Sequence, residues 1–391
     1  MKFFIFFSTV FSIFTESMWI DLGFDFKLFY LVVLINMIIL FYFNKIIYTK
    51  GLLLFNSIIF FSGTFSIIFG YNKFDYFFIQ LFFLTIIPIY YYSFYRLFED
   101  NLEDIISIYC KLSFAIAVFG FLKLPYDMSI GRSLNSILQE PAHYCTIVLP
   151  AYFITFNDKK YPKYYSIVIL LSIIISGSSL GLISLILSIL LYIKNITFLK
   201  TIITIISALT IGYFIYFSFP PFKLRVDDTV KSLRTGDLSK SNISTYALVS
   251  NLYVAGKSFA TNPIIGNGIG SHIHSRKKHL DDIKGVEVFK KLGVKNLNEK
   301  DGGSLFIRLT SELGLIGIFS VLTFIYKFYV RNKENKYNIN SIISKAILLY
   351  FFCKLLREGH YFSPEMYFFV FLYVFNKYDS IKSENLKLKY A

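Results

Sequence analysis

The segment PPFKLRVDDTVKSLRTGDLSKSNISTYALVSNLYVAGKSFATNPIIGNGIGSHIHSRKKHLDDIKGVEVFKKLGVKNLNEKDGG, residues 220–303, is the only long hydrophilic stretch of this 391-residue chain. The whole chain is 55% hydrophobic and 20% aromatic. Apolar runs of about 17–25 residues indicate membrane-spanning helices. Because such runs lie on both sides of the segment, we predict a single integral membrane domain over residues 1–391. Residues 219–302 form a large loop inserted in it.

The fold class that the apolar runs predict is an all-α polytopic membrane protein with about twelve transmembrane helices. The large loop then lies between helices 9 and 10. A short run of small residues, 176–179, is all that divides the seventh and eighth spans, so one long helix is the alternative there. The predicted spans are residues 3–15, 27–43, 51–69, 74–95, 104–123, 141–156, 164–177, 179–193, 198–218, 303–326, 341–356 and 361–376.

The distribution of lysine and arginine predicts the orientation, because these residues are enriched on cytoplasmic loops. With about twelve spans and both termini in the cytoplasm, every inside segment carries a cation and the short outside segments carry few. This assignment places residues 219–302 outside the membrane. It also accounts for most of the net charge of +15, so we expect no nucleic-acid partner.

The first group of candidate site residues precedes and opens the sixth span. Pro141 suits the first position of a helix, which sets Glu140 at the mouth of the span, near its positive end. His143 follows within one turn, and Arg132 lies eight residues before Glu140. The alternatives are a plain helix-start acid, a packing histidine and a surface cation.

The second group lies on the tenth span. Asp301, Ser304, Arg308 and Glu312 are spaced three, four and four residues apart, which places them on one face of a helix. Charges inside a membrane are costly and tend to face a polar cavity or a partner. A cavity role for Arg308 and a structural Arg308–Glu312 pair are both open.

The third group stands at the outer end of the eleventh span. It comprises Lys354, Arg357, Glu358, His360 and Tyr361. Anchoring at the membrane interface is the alternative, because lysine, arginine and tyrosine commonly lie there. The group is denser in ionisable residues than anchoring requires.

The sharpest pattern in the loop is NPIIGNGIGSH, residues 262–272. Gly266, Gly268 and Gly270 could form a backbone nest for an anion. The spacing superficially matches a dinucleotide-binding motif, but the strand–helix–strand context of that motif is missing. His272 and His274 lack further ligands, and the three cysteines lie in apolar spans, so we expect no metal and no cofactor.

The chain resembles the Wzy-type O-antigen and capsule repeat-unit polymerases, a group related to the O-antigen ligases. The resemblance rests on Arg132 to Glu140-Pro141, on residues 262–272, and on GSL (303–305) with SELGLIG (311–317) in the tenth span. The ligase branch has a histidine where this chain has residues 301–304, DGGS. The absence of a histidine at these positions favours the polymerases. His272 or His360 remains open as a spatial substitute.

The resemblance implies transfer of a growing glycan from undecaprenyl diphosphate to a sugar hydroxyl of the next lipid-linked repeat unit. This reaction takes place at the outer face of the bacterial cytoplasmic membrane. Arginines suit the leaving diphosphate, and those nominated are Arg132, Arg308 and Arg357. Glu140 is the first choice of base, and His272 or His360 the second. Substrate contacts are expected from His143, Gly266, Gly268, Gly270, His274, Arg276, Asp301, Ser304, Lys354 and Tyr361.

Three other functions stay open. A ligase would differ only in its acceptor. A flippase or transporter of lipid-linked oligosaccharides would bind near the membrane midplane, often between internal repeats, and no repeat is evident. A structural or sensory membrane protein would use the loop as a ligand-binding module. The expected partners are the lipid-linked oligosaccharide and the bilayer, with a chain-length regulator protein open as a third.

Overall fold

A computed structural model describes residues 1–21, 25–192, 198–331 and 338–390. Within these ranges the chain forms sixteen α-helices and one β-hairpin, β1 (Trp19–Asp21) with β2 (Asp25–Lys27). The helices are α1 Lys2–Ser12, α2 Leu28–Tyr42, α3 Lys50–Ile68, α4 Phe74–Leu97, α5 Leu102–Ser129, α6 Pro141–Asn157, α7 Lys163–Ile175, α8 Ser179–Tyr192, α9 Phe198–Ser218, α10 Pro220–Thr235, α11 Ile243–Thr261, α12 His272–His279, α13 Val286–Lys291, α14 Leu305–Phe328, α15 Ile339–Leu356 and α16 Met366–Tyr390.

The fold is that of an all-α membrane protein. Among the described residues, five helices are long and apolar enough to cross a membrane: Lys50–Ile68, Phe74–Leu97, Glu99–Ser129, Leu305–Phe328 and Ile339–Leu356. Helices α1, α2, α7 and α8 are apolar but shorter. The seventh and eighth predicted spans are separate helices, and the hairpin was not predicted.

Helix α6 lies inside the bundle. It packs against α5, α7, α8 and α15, and eleven of its 17 residues are buried. Tyrosines tie the surrounding helices together: Tyr109 of α5 donates to the Ile147 carbonyl at 2.6 Å, and Tyr144 donates to the Ser172 hydroxyl of α7 at 2.6 Å. The N-terminus of α6 therefore has a fixed position, which matters because Glu140 and His143 stand there.

The connections that follow α1, α3, α5, α7 and α15, with the helix ends beside them, contact one another or residues 220–303, and we call the region where they meet the loop-bearing end. Four hydrogen bonds show the contacts. Ser17 donates to the Ile137 carbonyl, and Asn72 donates to the Ile269 carbonyl at 2.9 Å. Arg225 donates to Ser179 at 3.0 Å, and the Glu358 N–H donates to the Gly303 carbonyl at 3.1 Å.

A separate set of contacts lies in and beside the connections that follow α2, α4 and α6 and in the C-terminal part of α16. Lys160 pairs with Glu103 at 3.2 Å and Lys382 pairs with Asp100 at 2.8 Å. The Ile47 N–H donates to Ser93. The even-numbered connections of the predicted topology thus meet one another, away from the loop-bearing end.

The hydrophilic segment folds into helices α10 to α13 with a small core of its own, and we call residues 220–303 the inserted subdomain. The rings of Tyr246 and Phe289 stack at 3.9 Å with an interplanar angle of 10°, and the Tyr246 hydroxyl donates to the Lys295 carbonyl at 2.7 Å. The buried apolar residues of this core are Leu238, Tyr246, Val249, Leu280, Ile283, Val286 and Phe289.

Helix α14 is broken at Gly314, whose φ of 57° and ψ of −146° are not helical. The break leaves backbone groups on both sides without partners inside the helix. The turn formed by residues 263–268 supplies them. Asn267 and Gly268 N–H groups donate to the Ser311 and Glu312 carbonyls at 3.1 and 2.7 Å, and the Leu315 and Ile316 N–H groups donate to the carbonyls of residues 263 and 264 at 2.9 and 3.0 Å.

Candidate functional site

The backbone of the glycine-rich segment hydrogen-bonds to α14 on both sides of its break. This arrangement differs from the anion nest considered from the sequence. Gly266, Gly268 and Gly270 have φ of 67°, 89° and 82°, a region that favours glycine. A Cβ on Gly266 would overlap the Glu312 backbone, and one on Gly268 would overlap Ser66. Because the N–H groups of Gly266 and Gly268 already donate to protein carbonyls, neither is available to an anion.

Arg308 is enclosed by protein. Its Nε donates to Glu312 Oε1 at 3.1 Å, Nη1 to the Gly359 carbonyl at 2.9 Å and Nη2 to Gln80 Oε1 at 3.0 Å. The Tyr361 ring covers its face at 3.9 Å. The structural i,i+4 pair is present and the guanidinium is 1% exposed, so Arg308 offers no open face to a diphosphate in this arrangement.

His272 is buried and both of its ring nitrogens have partners. Nε2 lies 3.1 Å from Asn251 Oδ1 and Nδ1 lies 2.9 Å from the Ser311 hydroxyl. Since the Asn251 oxygen can only accept, Nε2 carries the proton and Nδ1 accepts from Ser311. Burial, with Arg308 and Arg276 nearby, lowers the pKa of His272 to about 3. The geometry is that of a neutral packing histidine rather than of a base open to substrate.

Arg276 and His274 stand on opposite sides of α12. Arg276 is 1% exposed; it donates to Ser250, to Asn251 and to the Lys295 carbonyl at 2.7–3.0 Å, and so binds the inserted subdomain together. His274 is half-buried and has no hydrogen-bond partner among the described residues.

Asp301 and His360 form a carboxylate–histidine pair. Oδ2 of Asp301 lies 3.5 Å from His360 Nε2, and the imidazole is 36% exposed. Burial, against the pull of Asp301, lowers the pKa of His360 to about 4. Burial would raise the pKa of Asp301, but His360 and the N–H of Gly303 outweigh it and lower the pKa. Nε2 faces the Asp301 carboxylate, so in a neutral His360 with its proton on Nε2 the nitrogen that can accept a proton is Nδ1.

Close backbone packing holds this pair together. A Cβ on Gly359 would overlap the Asp301 carbonyl, so only glycine lets the two connections approach this closely. Glu358 adopts a left-handed conformation with φ of 65°. Ser304 caps α14 by accepting from the Ile307 N–H at 3.3 Å and donates to the Leu355 carbonyl at 2.7 Å.

Lys354 is saturated and fully buried. Its three N–H donors reach Glu358 at 2.6 Å, Ser363 at 2.8 Å and Glu365 at 2.9 Å, and its side chain is 0% exposed. An ammonium has only three donors. Lys354 therefore pairs with two buried carboxylates and has no donor left for a substrate.

His143 bridges two carboxylates, one of which the sequence analysis missed. Nδ1 lies 2.6 Å from Glu16 Oε2, and Nε2 lies 3.5 Å from Glu358 Oε1. Lys27 approaches Glu16 Oε1 at 3.6 Å. Burial would raise the pKa of Glu16, but His143 and Lys27 outweigh it and hold the pKa well below its usual range. No pattern in the sequence links residues 127 positions apart.

Glu140 and Arg357 are the open members of the site. Nη2 of Arg357 lies 3.4 Å from Glu140 Oε2; the Arg357 side chain is 27% exposed and the Glu140 side chain is 50% exposed. Arg132 is exposed and makes no ion pair with any residue that the structure describes. The nominated residues therefore separate into a buried set and an open set, and the open set is Arg132, Glu140, Arg357 and, in part, His143, His274 and His360.

This arrangement suits acid–base chemistry on an anionic substrate. His360 offers a partly exposed imidazole that faces Asp301, and Arg357 stands three residues away with a carboxylate partner that an anion can displace. In the part of the chain that the structure describes, no cluster of three or more His, Cys, Asp or Glu side chains has metal-binding geometry. Comparisons with protein-family models, with curated proteins and with solved structures gave no match.

Proposed function

We propose that the protein is a membrane glycosyltransferase that polymerises oligosaccharide repeat units carried on undecaprenyl diphosphate. The observation that carries the proposal is the pair of the partly exposed His360 with the buried Asp301, beside Arg357 at the loop-bearing end. In this proposal about twelve spans cross the bacterial cytoplasmic membrane, both termini are cytoplasmic and the loop-bearing end faces outward.

The proposed reaction needs one base and one cationic site. His360 Nδ1 takes the proton from the acceptor sugar hydroxyl while the hydroxyl oxygen bonds to the anomeric carbon of the growing chain. The bond from that carbon to the diphosphate oxygen breaks, and the diphosphate leaves with the electron pair. Asp301 orients the imidazole and stabilises its protonated form, as a carboxylate does for a catalytic histidine.

Arg357 and Arg132 neutralise the leaving diphosphate. Arg357 is held by Glu140 at 3.4 Å with both side chains partly exposed, a weak surface pair. A diphosphate brings more charge and more acceptor oxygens than one carboxylate, so it replaces Glu140 on Arg357. The displaced Glu140 then stands free near the bound substrate as a second proton acceptor.

A ligase is the second candidate, and one observation favours it. The ligase branch has a histidine in place of residues 301–304, and the two histidines considered as its spatial substitutes lie against this position. His360 pairs with Asp301, and a Cβ on Gly302 would lie 3.3 Å from His272 Nε2. The His360–Asp301 chemistry is the same for either acceptor, a sugar of the next unit or a different molecule.

The surface polysaccharide of a deletion strain tests the proposal. Loss of a polymerase leaves single repeat units on the cell surface. Loss of a ligase leaves long unattached chains, and loss of a flippase stops export. Complementation with His360→Gln is expected to give the single-unit profile, whereas His279→Gln, a histidine on α12 that pairs with Asp282, restores long chains. Full-length polymer with His360→Gln at normal protein levels would remove His360 from the mechanism.

A further inference from the structure

A group of basic side chains lies where the inserted subdomain meets the start of α4, apart from the residues already described. It consists of Lys73, His274, Lys277 and Lys278, and we call it the basic patch. Lys277 Nζ lies 2.8 Å from the Tyr76 hydroxyl and 5.3 Å from the centre of that ring. This contact joins α12 to the first turn of α4.

The patch carries positive charge without ion-pair partners among the described residues. All three lysines are exposed and none makes an ion pair there. The pKa of His274 is lowered, first by burial and then by the charges of Lys73, Lys278 and Lys277. All three cations therefore act on one imidazole. The carboxylates nearby are Glu299, which acts on Lys277, and Asp75, two residues from Lys73.

The patch stands at the edge of an apolar surface. Lys73 immediately precedes α4, which is long and apolar enough to cross a membrane. Phe74 and Phe78 follow it, are 63% and 53% exposed and stack at 5.8 Å. Phe69, at the end of α3, is 59% exposed. Cations above an exposed aromatic surface are typical of the level at which lipid headgroups lie.

We propose that the basic patch binds the phosphate headgroup of a membrane lipid, with the lipid tail along Phe74 and Phe78. The three ammonium groups bond the phosphate oxygens, and His274 gains a proton and adds a fourth donor. Helix α12 thus has two faces: His272 and Arg276 are buried on one, and the patch lies on the other.

The role of this site rests on the proposed function, although the binding itself does not. Polymerisation joins two lipid-linked glycans, so two diphosphates must be held at once. Arg357 and Arg132 are assigned to the leaving diphosphate. The patch lies near Arg308 along α4, because Tyr76 precedes Gln80, the partner of Arg308, by one helical turn or roughly 6 Å. Arg308 in turn donates to the carbonyl of Gly359, two residues after Arg357. The patch therefore suits the diphosphate of the acceptor.

The test measures binding of labelled undecaprenyl diphosphate to the full-length protein in phosphatidylcholine nanodiscs. The double variant Lys73→Gln/Lys278→Gln is expected to bind at least about tenfold more weakly, since each basic residue near a lipid surface contributes several-fold. The control is Lys290→Gln, an exposed lysine of the same subdomain that pairs with Glu287. Lowering the pH from 8 to 5.5, across the ordinary histidine pKa of about 6.5, strengthens wild-type binding but not that of His274→Gln.

Binding of phosphatidylglycerol and of inorganic pyrophosphate, compared with that of undecaprenyl diphosphate, identifies which phosphate compound the patch binds. Lysine-dependent binding of phosphatidylglycerol equal to that of undecaprenyl diphosphate would support the headgroup site and assign it to bulk anionic lipid. Unchanged binding in the double variant, or pyrophosphate binding as tight as that of either lipid, would overturn it. The His360→Gln variant separates the two proposals, because it is expected to lose polymerisation and keep binding.

Discussion

Glu16 Oε2 lies 2.6 Å from His143 Nδ1 and joins the segment after the first helix to the N-terminus of α6. The opposite nitrogen of His143 faces Glu358, which in turn pairs with Lys354. The connections that follow α1 and α15, the start of α6 and the end of α15 therefore share one buried chain of charges. Through this chain the N-terminal segment supports the connection that carries Arg357 and His360.

Replacement of Glu16 by glutamine is expected to destabilise the protein, because it leaves His143 and Lys27 with an uncharged partner in a buried site. Breaking a buried ion pair costs about 3–5 kcal/mol. Glu99→Gln is the control, since its pair with Arg96 is exposed and contributes about 0–1 kcal/mol. Thermal unfolding in detergent measures both, and equal losses would show that Glu16 does not support the fold.

Gly266→Ala is expected to be more harmful than Gly293→Ala, although both positions have positive φ of 67° and 73°. A Cβ on Gly266 would overlap the Glu312 backbone, whereas nothing lies within 4 Å of one on Gly293. The alanine at 293 therefore costs only the conformational strain, about 1 kcal/mol. At 266 the clash adds about 1–3 kcal/mol. Equal melting temperatures for the two variants would contradict the close hydrogen-bonded packing of residues 263–268 against the break in α14.

The stability of the protein is expected to fall as the pH falls below 6.5, in part because of His272. Its folded-state pKa is lowered from 6.5 to about 3, so between these values the unfolded chain binds more protons than the folded one. The neutral imidazole therefore stabilises the fold above pH 6.5, and this contribution is lost at about 1.4 kcal/mol per pH unit as the pH falls.

The melting temperature measured against pH tests this assignment. His272→Asn keeps a side chain that hydrogen-bonds and removes the titration, so its profile between pH 6.5 and 5, about 2 kcal/mol in the wild type, should be flatter. His279→Gln, on the same helix but with a partly exposed ring, should retain the wild-type slope. A wild-type slope in His272→Asn would place the titrating group elsewhere.

Arg357→Gln is expected to reduce polymer formation by about 10²–10³ by removing a donor for the diphosphate. Glu140→Gln is expected to act less strongly, because it removes a competing anion from Arg357 as well as a proton acceptor. The control is Glu103→Gln, whose exposed pair with Lys160 lies away from the loop-bearing end. Chain-length profiles at equal protein levels measure the effects, and normal chains from Arg357→Gln would exclude its role.

Residue spacing predicted the contacts that lie within one helix or at its start. The Arg308–Glu312 pair follows from the i,i+4 spacing, and Glu140 before Pro141 follows from the chemistry of helix N-termini. Spacing did not separate open from buried side chains. Lys354, Arg308 and His272 have the same chemistry in the sequence as Arg357 and His360, yet their partners come from other helices and leave no donor or acceptor for a substrate.

By itself the sequence determined that this is an all-α membrane protein, because long apolar runs have no other stable arrangement in a bilayer. It also located the hydrophilic segment, residues 220–303, between those runs. Only the tertiary structure decided which charged side chains remain accessible. It brought Glu16 to His143 and Asp301 to His360, and it turned the glycine-rich segment into a support for α14. Burial and pairing depend on contacts between residues far apart in the chain, and a single sequence carries no local signal for such contacts.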